Sequence, residues 1–222
     1  MKHKALVILS GGQDSATCLF WALKNFEEVC AITFFYGQNH VVEIALASNL
    51  SQLVNVKHRI VFLNFFPELV KSALTSNGDV SVLNEKGLPA SFVPNRNALF
   101  ITLSHAYAQK IGASTLITGV CQTDYSGYPD CRRTFIDGMQ QVLNIGSDSD
   151  ISILTPLMFL TKAETFKLAE DLGCLELIIE STNTCYHGEP KKHNWGSGCG
   201  ECPACELRKK GFEEFLNHKN II

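Results

Sequence analysis

Ser10-Gly11-Gly12-Gln13-Asp14-Ser15 stands between four aliphatic residues, Leu6-Val7-Ile8-Leu9, and a segment at residues 14–25 whose apolar positions recur at helical spacing. A strand that runs through two glycines into a helix is an arrangement suited to phosphate. Glycine lets the backbone approach an anion closely, and the first helical turn offers unpaired N–H groups and the positive end of the dipole. The hydroxyls of Ser10, Ser15 and Thr17 can add hydrogen bonds to phosphate oxygens. Asp14 suits phosphate poorly as a direct partner, so its carboxylate is assigned to a magnesium ion or to the helix cap. With no lysine in the loop this is not G-x-x-x-x-G-K-[ST], and the spacing is not G-x-G-x-x-G.

Outward from the loop, β-rich and amphipathic segments alternate. Strands are expected at residues 29–35, 58–63, 115–120 and 151–154, and helices at 43–53, 97–109 and 134–143. A further helix should start at Thr161, with Glu164 completing a capping box. Residues 76–92 read as a polar loop. Parallel strands need crossover connections, so alternating βα units imply a parallel sheet with helices on both faces. The aliphatic pattern stops near Thr182, where Cys, Gly, His and Lys take over. This divides the chain into an α/β unit, residues 1–181, and a small metal-bound module, residues 182–222.

The 222 residues carry 22 acidic and 19 basic side chains, a net charge of −3 that argues against general affinity for nucleic acid. Lys2-His3-Lys4 and the short apolar run after it do not make a signal peptide, and no apolar run approaches the ~18–20 residues of a membrane helix. A cytoplasmic protein without nucleic-acid or membrane partners is expected. There its nine cysteines would be free thiols or metal ligands.

Cys199, Cys202 and Cys205 follow C-x2-C-x2-C spacing, and Cys185 lies 13 intervening residues upstream. Four thiolates close a tetrahedral shell around zinc, and a filled shell is structural. Lys191, Lys192 and His193 would offset its negative charge, and His187 or His193 offers a substitute ligand. An iron–sulfur cluster takes the same ligand set. Cys18, Cys30 and Cys174 fall on core-like positions, whereas Cys121 and Cys131 flank a loop after the fourth strand.

The loop matches the SGG-x-DS pattern of the PP-loop ATP pyrophosphatases. Val93-Pro94-Asn95-Arg96-Asn97, Gly119-Val120-Cys121-Gln122-Thr123-Asp124-Tyr125-Ser126-Gly127-Tyr128-Pro129-Asp130-Cys131-Arg132, Pro156-Leu157-Met158, Lys162-Ala163-Glu164 and Thr184-Cys185-Tyr186 extend the likeness almost end to end. With them the chain resembles the 7-cyano-7-deazaguanine synthase family of the queuosine pathway. Asn95 departs from an expected glycine, and Asn tolerates the left-handed backbone best. The resemblance implies an adenine-nucleotide α-hydrolase-like, Rossmann-like parallel sheet, one structural zinc per chain on Cys185, Cys199, Cys202 and Cys205, and a homodimer. It implies a C–N bond-forming ligase that turns 7-carboxy-7-deazaguanine and ammonia into a nitrile, splitting ATP into AMP and pyrophosphate with magnesium.

Under that resemblance ATP is held by Leu9, Ser10, Gly11, Gly12, Gln13, Asp14, Ser15, Ala16, Thr17, Cys18 and Leu19. Catalytic roles fall to Asp14 near magnesium and to Lys162 and Arg96 as charge neutralisers. Asp124, Tyr125, Tyr128, Asp130 and Arg132 are assigned to a pocket for the flat deazapurine. Competing readings are a PP-loop tRNA thiolase, an amidotransferase synthetase domain, and a zinc-ribbon regulator that uses no ATP.

Overall fold

A computed structural model of the chain describes residues 3–38, 42–70, 72–74, 78–79, 82–83, 87–123 and 128–219. In chain order the elements are β1 (Lys4–Ile8), α1 (Gln13–Asn25), β2 (Glu28–Phe35), α2 (Val42–Leu53), β3 (Lys57–Phe62), α3 (Phe66–Leu69), α4 (Arg96–Ile111), β4 (Thr115–Ile117), a 3-10 turn (Pro129–Cys131), α5 (Arg133–Ser147), β5 (Ser152–Leu154), α6 (Lys162–Asp171), α7 (Leu175–Ser181), β6 (Lys192–His193), β7 (Gly196–Ser197) and α8 (Pro203–Lys219). The first five strands form one sheet in the order β3-β2-β1-β4-β5, and every pair in it is parallel.

Side chains of a strand alternate between faces, and the central strands are apolar on both. Leu6, Cys30, Ile32 and Leu116 point into a core shared with α4 and α5 through Ile101, Ala108 and Ile136. Ala5, Val7, Ala31 and Ile117 point the other way, against Cys18, Leu19 and Ala22 of α1 and Ala47 of α2. Cys18, Cys30 and Cys174 are packing residues, as their spacing suggested. The chain leaves β1 for β2 on one side and reaches β4 on the other. The strand order therefore reverses beside β1, where open α/β sheets open a crevice at their carboxyl ends.

The fourth strand is shorter than expected, ending at Ile117 and not at residue 120. A Cβ on Gly119 would lie 3.0 Å from Asp14 C and Ser15 N, so the backbone leaves the ladder there to pass against the start of α1. Asn95 adopts φ 59°, ψ 15°, the left-handed conformation that its position in the sequence implied. The capping box at Thr161 and Glu164 is present in full. The short helices α3 and α7 were not expected, because four and seven residues carry too few turns to show a period.

The segment after Thr182 packs on α6. Phe212 and Phe215 of α8 meet Phe166 at ring-centroid distances of 5.1 and 6.1 Å, in a cluster that also holds Cys185, Trp195, Cys202 and Cys205. Among the described residues, no helix is long and apolar enough to cross a membrane.

Candidate nucleotide site and zinc centre

The loop is tied internally before α1 begins. Ser10 N donates to Ser15 Oγ at 3.1 Å, and Ser15 Oγ donates to the Gly12 carbonyl at 3.1 Å. Gly12 is the N-cap without a side-chain cap bond, which leaves the helix start open to an anion. Gly11 has φ +89°, and a Cβ there would lie 2.3 Å from the carbonyl oxygen of Glu43 in the first turn of α2. Gly11→Ala therefore costs left-handed strain and a backbone clash together. We expect it to lower the melting midpoint by several degrees and, under the ATP-splitting chemistry that the resemblance implies, pyrophosphate release by about 100-fold, read by calorimetry and a coupled assay. A wild-type rate would dismiss the loop geometry as the determinant.

Leu9, Ala16, Cys18 and Leu19 are fully buried, so they support the loop from the core. Thr17 is buried as well, and its hydroxyl donates to the Gln13 carbonyl at 2.9 Å. It closes a helical turn and does not face an incoming anion, contrary to the sequence expectation. Gln13 is 0% exposed, and neither atom of its amide has a partner among the described residues.

Asp14 and Lys162 meet at the mouth of the loop, Nζ to Oδ2 at 2.5 Å. Lys162 opens α6 directly behind the capped Thr161, so the cap fixes where its ammonium projects. The stem is fixed from behind too, since a Cβ on Gly211 of α8 would lie 2.3 Å from Lys162 Cβ. Asp14 Oδ1 is buried without a partner among the described residues, an acceptor that fits a hard cation.

Arg96 belongs to a second polar group, with Tyr36 and Asp130. Its guanidinium stands 6.0 Å from the centroid of the Tyr36 ring and donates to Tyr36 OH at 3.5 Å. Burial works to discharge Arg96, but Tyr36 and Asp130 outweigh it and raise its affinity for the proton. Burial raises the Asp130 carboxyl, while Arg96 pulls against that shift. Asn97 N donates to Asp130 Oδ2 at 3.2 Å, and Oδ1 has no partner among the described residues. Nearby, Ser91 Oγ and Tyr128 OH are 2.7 Å apart, and Tyr128 OH and Tyr186 OH 3.3 Å apart.

Tyr128 and Asp130 thus come together with Arg96. Arg132 is exposed and caps α5 through its backbone, while the tether is Arg133, bonded to Thr155 and Asp137. Asp124 and Tyr125 lie outside the described residues. Sequence reasoning missed Tyr36, Tyr186 and Glu43. The Glu43 carboxyl is pushed up to about 8 by burial, against the pull of Arg96.

Cys185, Cys199, Cys202 and Cys205 place their sulfurs within 4.8 Å of one another, with Cys199 and Cys205 at 3.9 Å. Tetrahedral zinc with Zn–S of ~2.3 Å needs sulfurs about 3.8 Å apart, so the donor set fits the metal. Backbone N–H groups of Cys202 and Glu201 donate to Cys199 Sγ at 3.3 and 3.4 Å. A Cβ on Gly198 would reach within 2.4 Å of Cys205 Sγ.

His193 is no ligand: its Nε2 lies 3.0 Å from the Gly198 carbonyl oxygen and its ring stacks on Trp195. Lys192 is turned away to the Glu180 carbonyl. The buried compensating cation is Arg208, 1% exposed and bonded to the carbonyls of Trp195, Thr182 and Ile178. Burial lowers it to about 10, while Asp14 and Cys205 hold it up. Its place in the C-terminal helix gave no hint of this role.

This parallel sheet, with a glycine–serine loop at the end of its central strand and an open helix start behind it, defines an adenine-nucleotide α-hydrolase-like protein of the PP-loop class. Solved structures agree on the fold. A 4-thiouridine synthetase–RNA complex with bound ATP superposes with a TM-score of 0.53 at 20% identity, over 96% of this chain and 53% of that one. NMN synthetase from Francisella tularensis gives 0.52 at 19% identity, over 96% and 84%.

The family model described as queuosine biosynthesis protein QueC matches residues 4–216, and the chain belongs to that family. A 7-cyano-7-deazaguanine synthase of Helicobacter pylori strain P12 is 52% identical over 221 residues, 97% of each chain. One from Wolinella succinogenes is 50% identical over 216 residues, 95% of this chain and 93% of its own.

Proposed function

We propose that the protein converts 7-carboxy-7-deazaguanine and ammonia into 7-cyano-7-deazaguanine, consuming two ATP and releasing two AMP and two pyrophosphates. Relatives of near-equal length, named for the synthesis of 7-cyano-7-deazaguanine, support the product. The observation that carries the ATP chemistry is the Asp14–Lys162 pair over the open start of α1.

A carboxylate does not exchange oxygen for ammonia unaided. Its attack on the α-phosphorus of ATP expels pyrophosphate and leaves an acyl adenylate, which ammonia converts to the amide with loss of AMP. The amide oxygen attacks a second α-phosphorus, again expelling pyrophosphate, and loss of AMP and a proton leaves the nitrile. Gly11, Gly12 and the N–H groups of α1 hold the departing pyrophosphate, and Lys162 offsets the charge that builds there. Magnesium, when bound, would shield the phosphate charge, and Asp14 Oδ1 is its candidate ligand. Arg96, Tyr128 and Asp130 form the deazapurine side, where the carboxyl accepts from a guanine-like N–H edge.

Zinc on the four cysteines is structural, one per chain, within a C-terminal module over residues 182–222. Ammonia as the nitrogen donor, a cytoplasmic location and a homodimer complete the proposal. The test is incubation with ATP, magnesium, ammonium and 7-carboxy-7-deazaguanine, followed by mass spectrometry. Nitrile with twice as much AMP is expected. AMP without nitrile would retire the substrate, and neither product from zinc-replete protein would retire the reaction class.

A further inference from the structure

The chain enters the zinc centre by a short strap, Thr182-Asn183-Thr184-Cys185, which crosses the phosphate loop first. Asn183 N donates to the Gly11 carbonyl at 3.2 Å. The Asn183 side chain braces the strap, accepting from Cys185 N at 2.8 Å and donating to the Glu189 carbonyl at 2.8 Å. The next residue lies against the loop itself, with Thr184 Cγ2 only 3.3 Å from the position a Cβ would take on Gly12.

Hydroxyl donors around the loop are mostly spent. Ser15 donates to Gly12 O and Thr17 to Gln13 O, and Ser10 Oγ already sits 3.0 Å from Ser15 Oγ. Thr184 Oγ1 differs, being buried with no partner among the described residues. Unmet hydrogen-bonding demand concentrates here: of seven such side-chain atoms, four belong to Gln13, Asp14 and Thr184. A buried polar atom without a partner carries a desolvation penalty, and grouped orphans mark a place where something else binds.

We propose that Thr184 is a phosphate-binding residue of the ATP site, delivered to the loop by the zinc-anchored strap. The assignment rests on the ATP-cleaving reading above. A turn of about 120° around χ1 carries the hydroxyl to the place of the methyl and the methyl to that of the Cβ hydrogen. Among the described residues that turn breaks no hydrogen bond, and it sets Oγ1 where Cγ2 now faces Gly12. There the hydroxyl donates to a phosphate oxygen held by the N–H groups of α1. The loop has no lysine of its own, so a neutral donor from a distant segment adds grip without opposing Lys162.

The test is calorimetric binding of magnesium pyrophosphate to wild-type, Thr184→Val and Thr184→Ser proteins, each checked for one zinc per chain and for its melting midpoint. Valine keeps the methyl contact and loses the hydroxyl; serine does the reverse. Affinity should fall tenfold or more in Thr184→Val, the size of a lost hydrogen bond to a charged group, and stay within about threefold in Thr184→Ser. If the valine variant fails to hold zinc, Thr184→Ala is read in its place. Unchanged affinity in Thr184→Val, or an equal loss in Thr184→Ser, overturns the assignment while the ATP reading stands. A wild-type protein that neither binds pyrophosphate nor releases it from ATP overturns both.

Discussion

Lys162→Met should lower turnover about 100- to 1,000-fold while ATP still binds, because in the proposed reaction the ammonium acts on charge that appears as pyrophosphate departs. Methionine is chosen over alanine because its unbranched stem keeps the packing of a side chain that is 10% exposed while the ammonium is lost. The Lys162 side chain is 10% exposed and Asp14 23%, so losing the ammonium also leaves the Asp14 carboxylate poorly compensated. Steady-state AMP formation separates the effects, since a kcat defect at nearly constant KM is the expected pattern. Turnover within threefold of wild type would assign Lys162 to structure alone.

Cys205→Ser should have the largest effect on stability. The sulfur is fully buried among the other three, and the cluster sits inside the apolar contact between α8 and α6. With the fourth ligand lost, metal affinity falls and its contribution to folding goes with it. We expect zinc content well below one per chain and a melting midpoint lowered by about 10 °C or more, the size expected from losing several kcal/mol in a chain of this length. Pyrophosphate affinity should drop as well, because Asn183 and Thr184 reach the loop through Cys185. A metal-free variant that melts like wild type would reduce the centre to an ornament. A brown iron-containing preparation would replace zinc with a cluster.

The sheet and the loop were legible because both rest on local chemistry. Leu6 to Leu9 had to be a buried strand, and Gly11 and Gly12 had to be a turn before a helix. The cysteine spacing announced a four-sulfur cluster fit for a metal as plainly, and the left-handed Asn95 followed from what asparagine tolerates. What stayed hidden depends on chain segments far apart in sequence. Nothing local marks Gly211 as the backstop of Lys162, or Arg208 as the cation behind the thiolates, since both sit in an ordinary helix. Thr184 and Tyr186 were overshadowed by the ligand between them. The same limit explains Thr17, whose hydroxyl satisfies its own helix, and β4, cut short by the approach of α1 to Gly119.

The seam between the phosphate loop and the C-terminal segment has a consequence for synthesis of the chain. Gly11 and Asp14 leave the ribosome first, but Asp14 meets its lysine only 148 residues later, and the strap that closes the loop follows that lysine. The central strand β1 likewise waits for β2 on one flank and β4 on the other. At ~5–20 residues per second, a nascent chain spends most of its synthesis with the loop made and the site open. Under the proposed reaction, an interrupted or truncated product would therefore carry the nucleotide motif without the means to split ATP, so fragments would place no drain on the cell's nucleotide pool.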